Sequence, residues 1–199
     1  MEYNAFSYKE LLTYGWEKTK HNFWFLFWVG LVYILINFFT AYIPVIGNII
    51  AMLTNIAIVA LMLLIVSGVT PKFNDILKPF QTYKITWHYF LAMVATFLVV
   101  ALGFIALIIP GIYLATRFQF FPYLIVENEN LGPLDAMKKS WKLTEGKFWK
   151  LFGWMVVMAV VNFVGFLALG VGLLFTIPTT WIAHAHLYKR LHPHTSAAS

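Results

Sequence analysis

The sequence predicts an all-α polytopic membrane protein: six transmembrane helices built as three hairpin repeats, each preceded by a short cytoplasmic amphipathic helix. Three observations predict it. The 199 residues are 61% hydrophobic and only 11% charged, with mean hydropathy +0.76, whereas a soluble domain is about 25% charged. Apolar runs close to the roughly 20 residues that cross a hydrocarbon core recur along the chain. The breaks between them alternate between tight, uncharged turns and long, charged linkers.

Taken in order, the apolar runs cover about 23–43, 49–69, 87–109, 111–126, 148–169 and 171–188. They lack period-2 alternation, and backbone in lipid must satisfy its own hydrogen bonds, so helices are expected rather than barrel strands. "IPVIGN" (43–48), "IIPGI" (108–112) and "LGVG" (169–172) mark the tight turns with Gly and Pro. Thirteen of the 14 Lys and Arg lie in the N-terminal segment, in the linkers around 70–86 and 127–150, or at Lys189–Arg190. By the positive-inside rule, both termini and both linkers are expected on the cytoplasmic side. The charged first 22 residues argue against a cleaved leader, and the first span is expected to act as the insertion signal.

A gapless shift of 125 residues overlays the two ends of the chain. Trp16 falls on Trp141, Thr19 on Thr144, Phe23 on Phe148, Asn37 on Asn162 and Gly47 on Gly172. A shift of 60 relates the middle third more weakly, pairing Asp75 with Asp135 and Lys78 with Lys138. One integral membrane domain over 1–191 is therefore expected, with units at about 7–69, 72–126 and 132–190 and a polar tail at 192–199. Two spans per unit give the units one orientation, as in parallel repeats.

The segments before spans one and five have apolar stripes. "SYKE" (7–10) reads as a capping box with Ser7 at the N-cap and Glu10 reaching back. Tyr8, Leu11, Leu12 and Trp16 follow at helical spacing. In "GPLD" (132–135), Pro133 suits a first helical position, and Leu134, Met137 and Trp141 form the stripe. Phe73, Ile76, Leu77 and Phe80 mark a similar face in the middle unit, where Pro79 cuts the helix short. Trp16, Trp141, Leu12 and Met137 are thus candidate membrane-interface residues. The alternative is that these helices cap the bundle without special lipid contact.

Arg117 is the one cation placed inside a span, and such a residue marks a functional site by default. All eight carboxylates lie in the cytoplasmic segments. Two readings stand: Arg117 braces the bundle or snorkels outward, or it binds a ligand or an anionic lipid headgroup. Asn37 and Asn162 are likewise either interhelical glue or ligand contacts. His184 and His186 are two residues apart, hence on different helix faces, and with His192 and His194 they do not have metal-site spacing. Zero cysteines exclude thiolate chemistry and disulfides. No catalytic triad, phosphate loop or paired intramembrane aspartates appear. The net charge of +6 is topological and can attract anionic headgroups; no nucleic-acid partner, metal or cofactor is expected.

The later half carries a resemblance. "IIPGIYLATRFQFFPYLIVENENLGPLDAMKKSWKLTEGKFWKLF", "LGVGLLFTIP" and "AHAHLYKRL" resemble a bacterial six-helix integral membrane family of unknown function, akin to the membrane domain of glycerophosphoryl diester phosphodiesterases. The matching positions are Pro110–Gly111, Glu127–Gly132, Ala136–Ser140, Gly146, Gly170 and Gly172. The resemblance implies a stand-alone membrane domain with no catalytic residues to carry over, since no stretch is left for the phosphodiesterase domain. The expected function is a non-enzymatic, lipid- or partner-binding scaffold of the bacterial cytoplasmic membrane. The alternatives are a small transporter or permeation subunit with a polar site near Arg117, Asn37 and Asn162, or an accessory subunit of a membrane complex.

Overall fold

The structure is a computed structural model that describes residues 6–40, 42–168 and 171–192; Glu2, Gly170, His194 and the tail beyond His192 lie outside the described residues. These residues are helical and contain no strand. The α-helices are α1 (Tyr8–His21), α2 (Phe23–Thr40), α3 (Pro44–Val66), α4 (Tyr83–Ala106), α5 (Ile108–Phe118), α6 (Phe121–Glu127), α7 (Pro133–Thr144), α8 (Phe148–Leu167) and α9 (Leu173–Leu191).

Among the described residues, four helices are long and apolar enough to cross a membrane: Phe23–Thr40, Ile46–Val66, Tyr83–Ile105 and Phe148–Leu167. The expected fourth span is not one helix. It is split into α5 and α6 at Gln119 and Phe120. Pro122 lacks the N–H that would bond to the Phe118 carbonyl, and its ring crowds that carbonyl, which favours a break there. The expected sixth span is α9, which carries Thr176, Thr179, Thr180, His184 and His186 and is too polar to join the four. The expected middle amphipathic helix is instead two 3-10 turns, Phe73–Ile76 and Lys78–Phe80. Pro79 ends any longer helix there, and Asp75 holds the turn, accepting the Lys72 N–H at 2.8 Å and pairing with Lys78 at 2.7 Å. Those partners hold its carboxyl below the usual carboxylate range.

Each uncharged turn closes on glycine. A Cβ on Gly47 would strike the Thr40 carbonyl, and one on Gly111 the Phe104 ring. One on Gly172 would lie 2.5 Å from the Gly165 carbonyl oxygen. The absence of a side chain lets the outgoing and returning helices touch backbone to backbone.

The chain divides into two compact units. The first comprises Met1–Thr54, Leu61–Pro71 and Trp154–Ser199, and α1 packed along α9 is its main joint. Leu11, Gly15 and Thr19 are buried there at i, i+4 and i+8. Gly15 lets α1 close onto the Thr179 backbone, and the Thr179 hydroxyl donates to Thr19 Oγ1 at 3.2 Å. Tyr14 stacks on His186 at 3.8 Å, and Trp154 Nε1 donates to His184 Nδ1 at 3.1 Å. The expected capping box is absent: Ser7 is the N-cap but makes no side-chain cap bond. Glu10 instead receives both ends of the Arg190 guanidinium, at 2.5 and 3.0 Å, a charge-assisted pair stronger than a reach back to its own backbone.

The second unit comprises Asn55–Ala60 and Lys72–Gly153. Here α4 and α5 form a hairpin reversed at the extended residue Leu107, and a Cβ on Gly103 would lie 3.1 Å from the Gly111 backbone. Helix α7, with Pro133 at its start as expected, packs on α5 and α6 through buried Ala136, Met137, Ser140 and Thr144.

The glycine at the α1–α9 joint makes a direct test. Gly15→Ala should lower the melting temperature in detergent, by the equivalent of about 1–3 kcal/mol for an overpacked contact. Gly30→Ala, whose Cβ would meet nothing within 4 Å, should leave it unchanged or slightly raised. Equal effects would disprove the close approach.

Candidate functional site

Arg117 closes α5, one residue before the helix ends. A cation is favoured at a helix C-terminus by the backbone dipole. The side chain is buried, the residue being 8% exposed, and among the described residues no carboxylate pairs with it. Its guanidinium carbon lies 4.8 Å from the Tyr113 ring centroid and 5.0 Å from that of Trp141. Both lie within the roughly 6 Å over which a ring face attracts a cation. Nη2 donates to the Tyr113 hydroxyl at 2.6 Å, while Nε and Nη1 are buried without a partner. Tyr113 is four residues before Arg117, so one helix turn supplies both. Trp141 comes from α7 and also meets Tyr113 at 5.9 Å and Phe118 at 5.7 Å.

The anchor for Trp141 is a pair of hydroxyls on the same helix. Ser140 Oγ donates to the Arg117 carbonyl at 2.8 Å and accepts the Phe120 N–H at 3.2 Å. The Thr144 hydroxyl approaches the same carbonyl at 3.4 Å. These backbone groups lie at the break after α5, where the helix ladder ends.

Asn37 and Asn162, matched in sequence, differ in use. Asn37 Nδ2 donates to the Tyr33 carbonyl of its own helix at 2.8 Å. Asn162 Nδ2 crosses from α8 to Thr180 Oγ1 on α9 at 3.2 Å, with Oδ1 buried and unpartnered. Arg117 makes its bonds within the other unit, so the three residues share no hydrogen bond. Of the candidate interface residues, Trp16 is 43% exposed, Leu12 and Trp141 are half-buried, and Met137 is buried against protein. Where α1 meets α2, a pocket of about 620 Å³ is lined by residues including Trp16, Lys20, His21, Trp24 and Phe175. Lys20 Nζ lies 5.7 Å from the centre of the Trp16 ring.

Sequence reasoning missed Tyr113, Ser140 and Thr144 as parts of the Arg117 site. The signal was present: Ser140 and Thr144 fall at the same 125-residue shift as Gly15 and Thr19, the two residues that seat α1. Among the described residues no three His, Cys, Asp or Glu side chains are gathered to hold a metal ion.

Removing the anchor should be costly. Ser140→Ala removes both the acceptor for the Phe120 N–H and the donor to the buried Arg117 carbonyl, for an expected loss of about 1–3 kcal/mol. Breaking the exposed Glu10–Arg190 pair with Glu10→Gln should cost less than about 1 kcal/mol. Thermal unfolding of the two variants side by side gives the comparison; a smaller loss for Ser140→Ala would contradict the anchoring role.

This chain belongs to the family described as "Domain of unknown function (DUF7847)", whose model matches residues 24–197. No curated protein and no solved structure matches it. The match gives the family without an activity and without a link to the phosphodiesterase membrane domain.

Proposed function

We propose that this protein is a non-enzymatic, multi-pass protein of the bacterial cytoplasmic membrane that binds anionic lipid, with Arg117 receiving the headgroup. The observation that carries this reading is the Arg117 guanidinium, buried between two aromatic faces with two N–H groups unpartnered and no carboxylate beside it. A buried charge without a counter-ion is strongly disfavoured, and a phosphate oxygen supplies both the charge and the missing acceptors. Six crossings in three hairpins, with both termini and both charged linkers on the cytoplasmic side, fit the distribution of Lys and Arg. The three-hairpin reading draws support from packing. The α1 pair Gly15 and Thr19 seats on Thr179, and the α7 pair Ser140 and Thr144 seats on Arg117. In each case the following Phe packs on a ring of the seated helix: Phe23 on Phe175 and Phe148 on Tyr113.

The sequence-matched tryptophans each carry a cation over the ring, Lys20 on Trp16 and Arg117 on Trp141. Cation and interfacial aromatic together suit a headgroup. Kinship with the phosphodiesterase membrane domain remains part of the proposal. A permeation site shared by Arg117, Asn37 and Asn162 gains no support from their separate hydrogen bonds.

The test is lipid retention by the purified protein, read by native mass spectrometry in phosphatidylglycerol and phosphatidylcholine. Arg117→Gln should reduce retained phosphatidylglycerol about tenfold, the effect of losing a charge-assisted bond. Arg117→Lys should fall between, because an ammonium keeps charge but loses the planar fork. Retention of phosphatidylcholine should not change. Equal phosphatidylglycerol retention by the folded Arg117→Gln variant would refute the assignment.

A further inference from the structure

The second unit holds another polar feature, on a different face of α5. Between α4 and α5 lies a groove of about 660 Å³. Its walls are apolar side chains such as Met93, Phe97, Phe104 and Phe118, and among its lining residues only Thr96 and Gln119 carry polar side chains. Thr96 Oγ1 and Gln119 Oε1 are both buried and have no hydrogen-bond partner. Gln119 is held in place from its other end, where Nε2 donates to the Thr116 carbonyl at 2.9 Å.

We infer that this groove is a binding site for an aliphatic alcohol, a hydrocarbon chain whose hydroxyl bridges Thr96 and Gln119. The chemistry selects that class. Apolar walls accommodate a hydrocarbon chain and offer no ion a counter-charge. Gln119 Oε1 can only accept, so the ligand must donate. Thr96 Oγ1 carries a proton of its own, so the ligand can also accept. A hydroxyl does both at a single atom; an alkane leaves both oxygens bare. Arg117 has no part in this site, which stands apart from the proposed headgroup role.

The test uses full-length protein in detergent micelles, photolabelled with diazirine-bearing hexadecanol and mapped by peptide mass spectrometry. Labels are expected in 93–104 and 115–121, with unlabelled hexadecanol competing about tenfold better than hexadecane, the discrimination one hydrogen bond supplies. Thr96→Val with Gln119→Leu should abolish that preference. Labelling of the same peptides by a diazirine-bearing hexadecane should persist in the double variant, which reports an intact groove. Arg117→Gln should leave the alcohol preference unchanged even if it abolishes headgroup retention. Equal competition by alcohol and alkane in the unmodified protein would overturn the inference. So would labelling confined to other segments, including the case where a partner helix fills the groove and is itself cross-linked.

Discussion

The hydrogen bonds from Ser140 and Thr144 to the end of α5 are the interaction on which the second unit depends. A helix that stops in a buried place leaves its last carbonyls and the N–H groups that follow in need of partners. Here Pro122 favours the stop, and the groups at the break include the Arg117 carbonyl and the Phe120 N–H. One hydroxyl on α7 serves both, donating to the first and accepting from the second. That service requires α7 to lie against α5 within hydrogen-bond distance. Once it does, Trp141 has no choice but to face Tyr113 and Arg117. The candidate site is therefore a consequence of repairing the break.

The first unit solves the equivalent contact without a break. α9 runs through its Pro178 as one helix, so its backbone needs less help, and α1 presents Gly15 where α7 presents Ser140. Contact is by close approach rather than by a donated hydroxyl, and Thr19 meets Thr179 side chain to side chain. One register thus serves two purposes: dense packing at one joint, polar repair at the other. The difference follows from the residue seated, Thr179 in one case and Arg117 in the other.

Much of the fold was legible because its signals are local or periodic. Gly47, Gly111 and Gly172 mark turns that permit no side chain, and the 125-residue shift finds the paired Trp, Thr and Phe positions. The break after α5 was harder to read, because Pro122 sits in a run whose apolar content says span; hydropathy counts side chains and ignores a missing N–H. The faces of α1 and α7 were only half legible. An apolar stripe states that a face is buried, not whether protein or lipid covers it, so Met137 reads as an interface residue while it packs on its neighbours. Glu10 was assigned to its own helix end because sequence cannot show Arg190 arriving from 180 positions away. Arg117 stood out as a charge without a local partner, but the aromatic faces around it come from two helices and only one of them is near in sequence.

The break after α5 places two polar side chains on opposite faces of the chain. Arg117 and Gln119 are two residues apart, about 200° around a helix axis at 3.6 residues per turn. They therefore face opposite sides, one toward α7 and one toward α4. An unbroken, wholly apolar span would offer neither a charged nor a neutral polar group to the membrane interior. Cation–π contacts contribute about 0.5–2 kcal/mol each, whereas the effective penalty for desolvating an ion is several kcal/mol. The ring faces thus offset only part of the cost of burying Arg117, and the remainder is what an incoming anion would relieve. The same asymmetry applies on the other face, where two orphaned oxygens cost the protein stability until a donor reaches them.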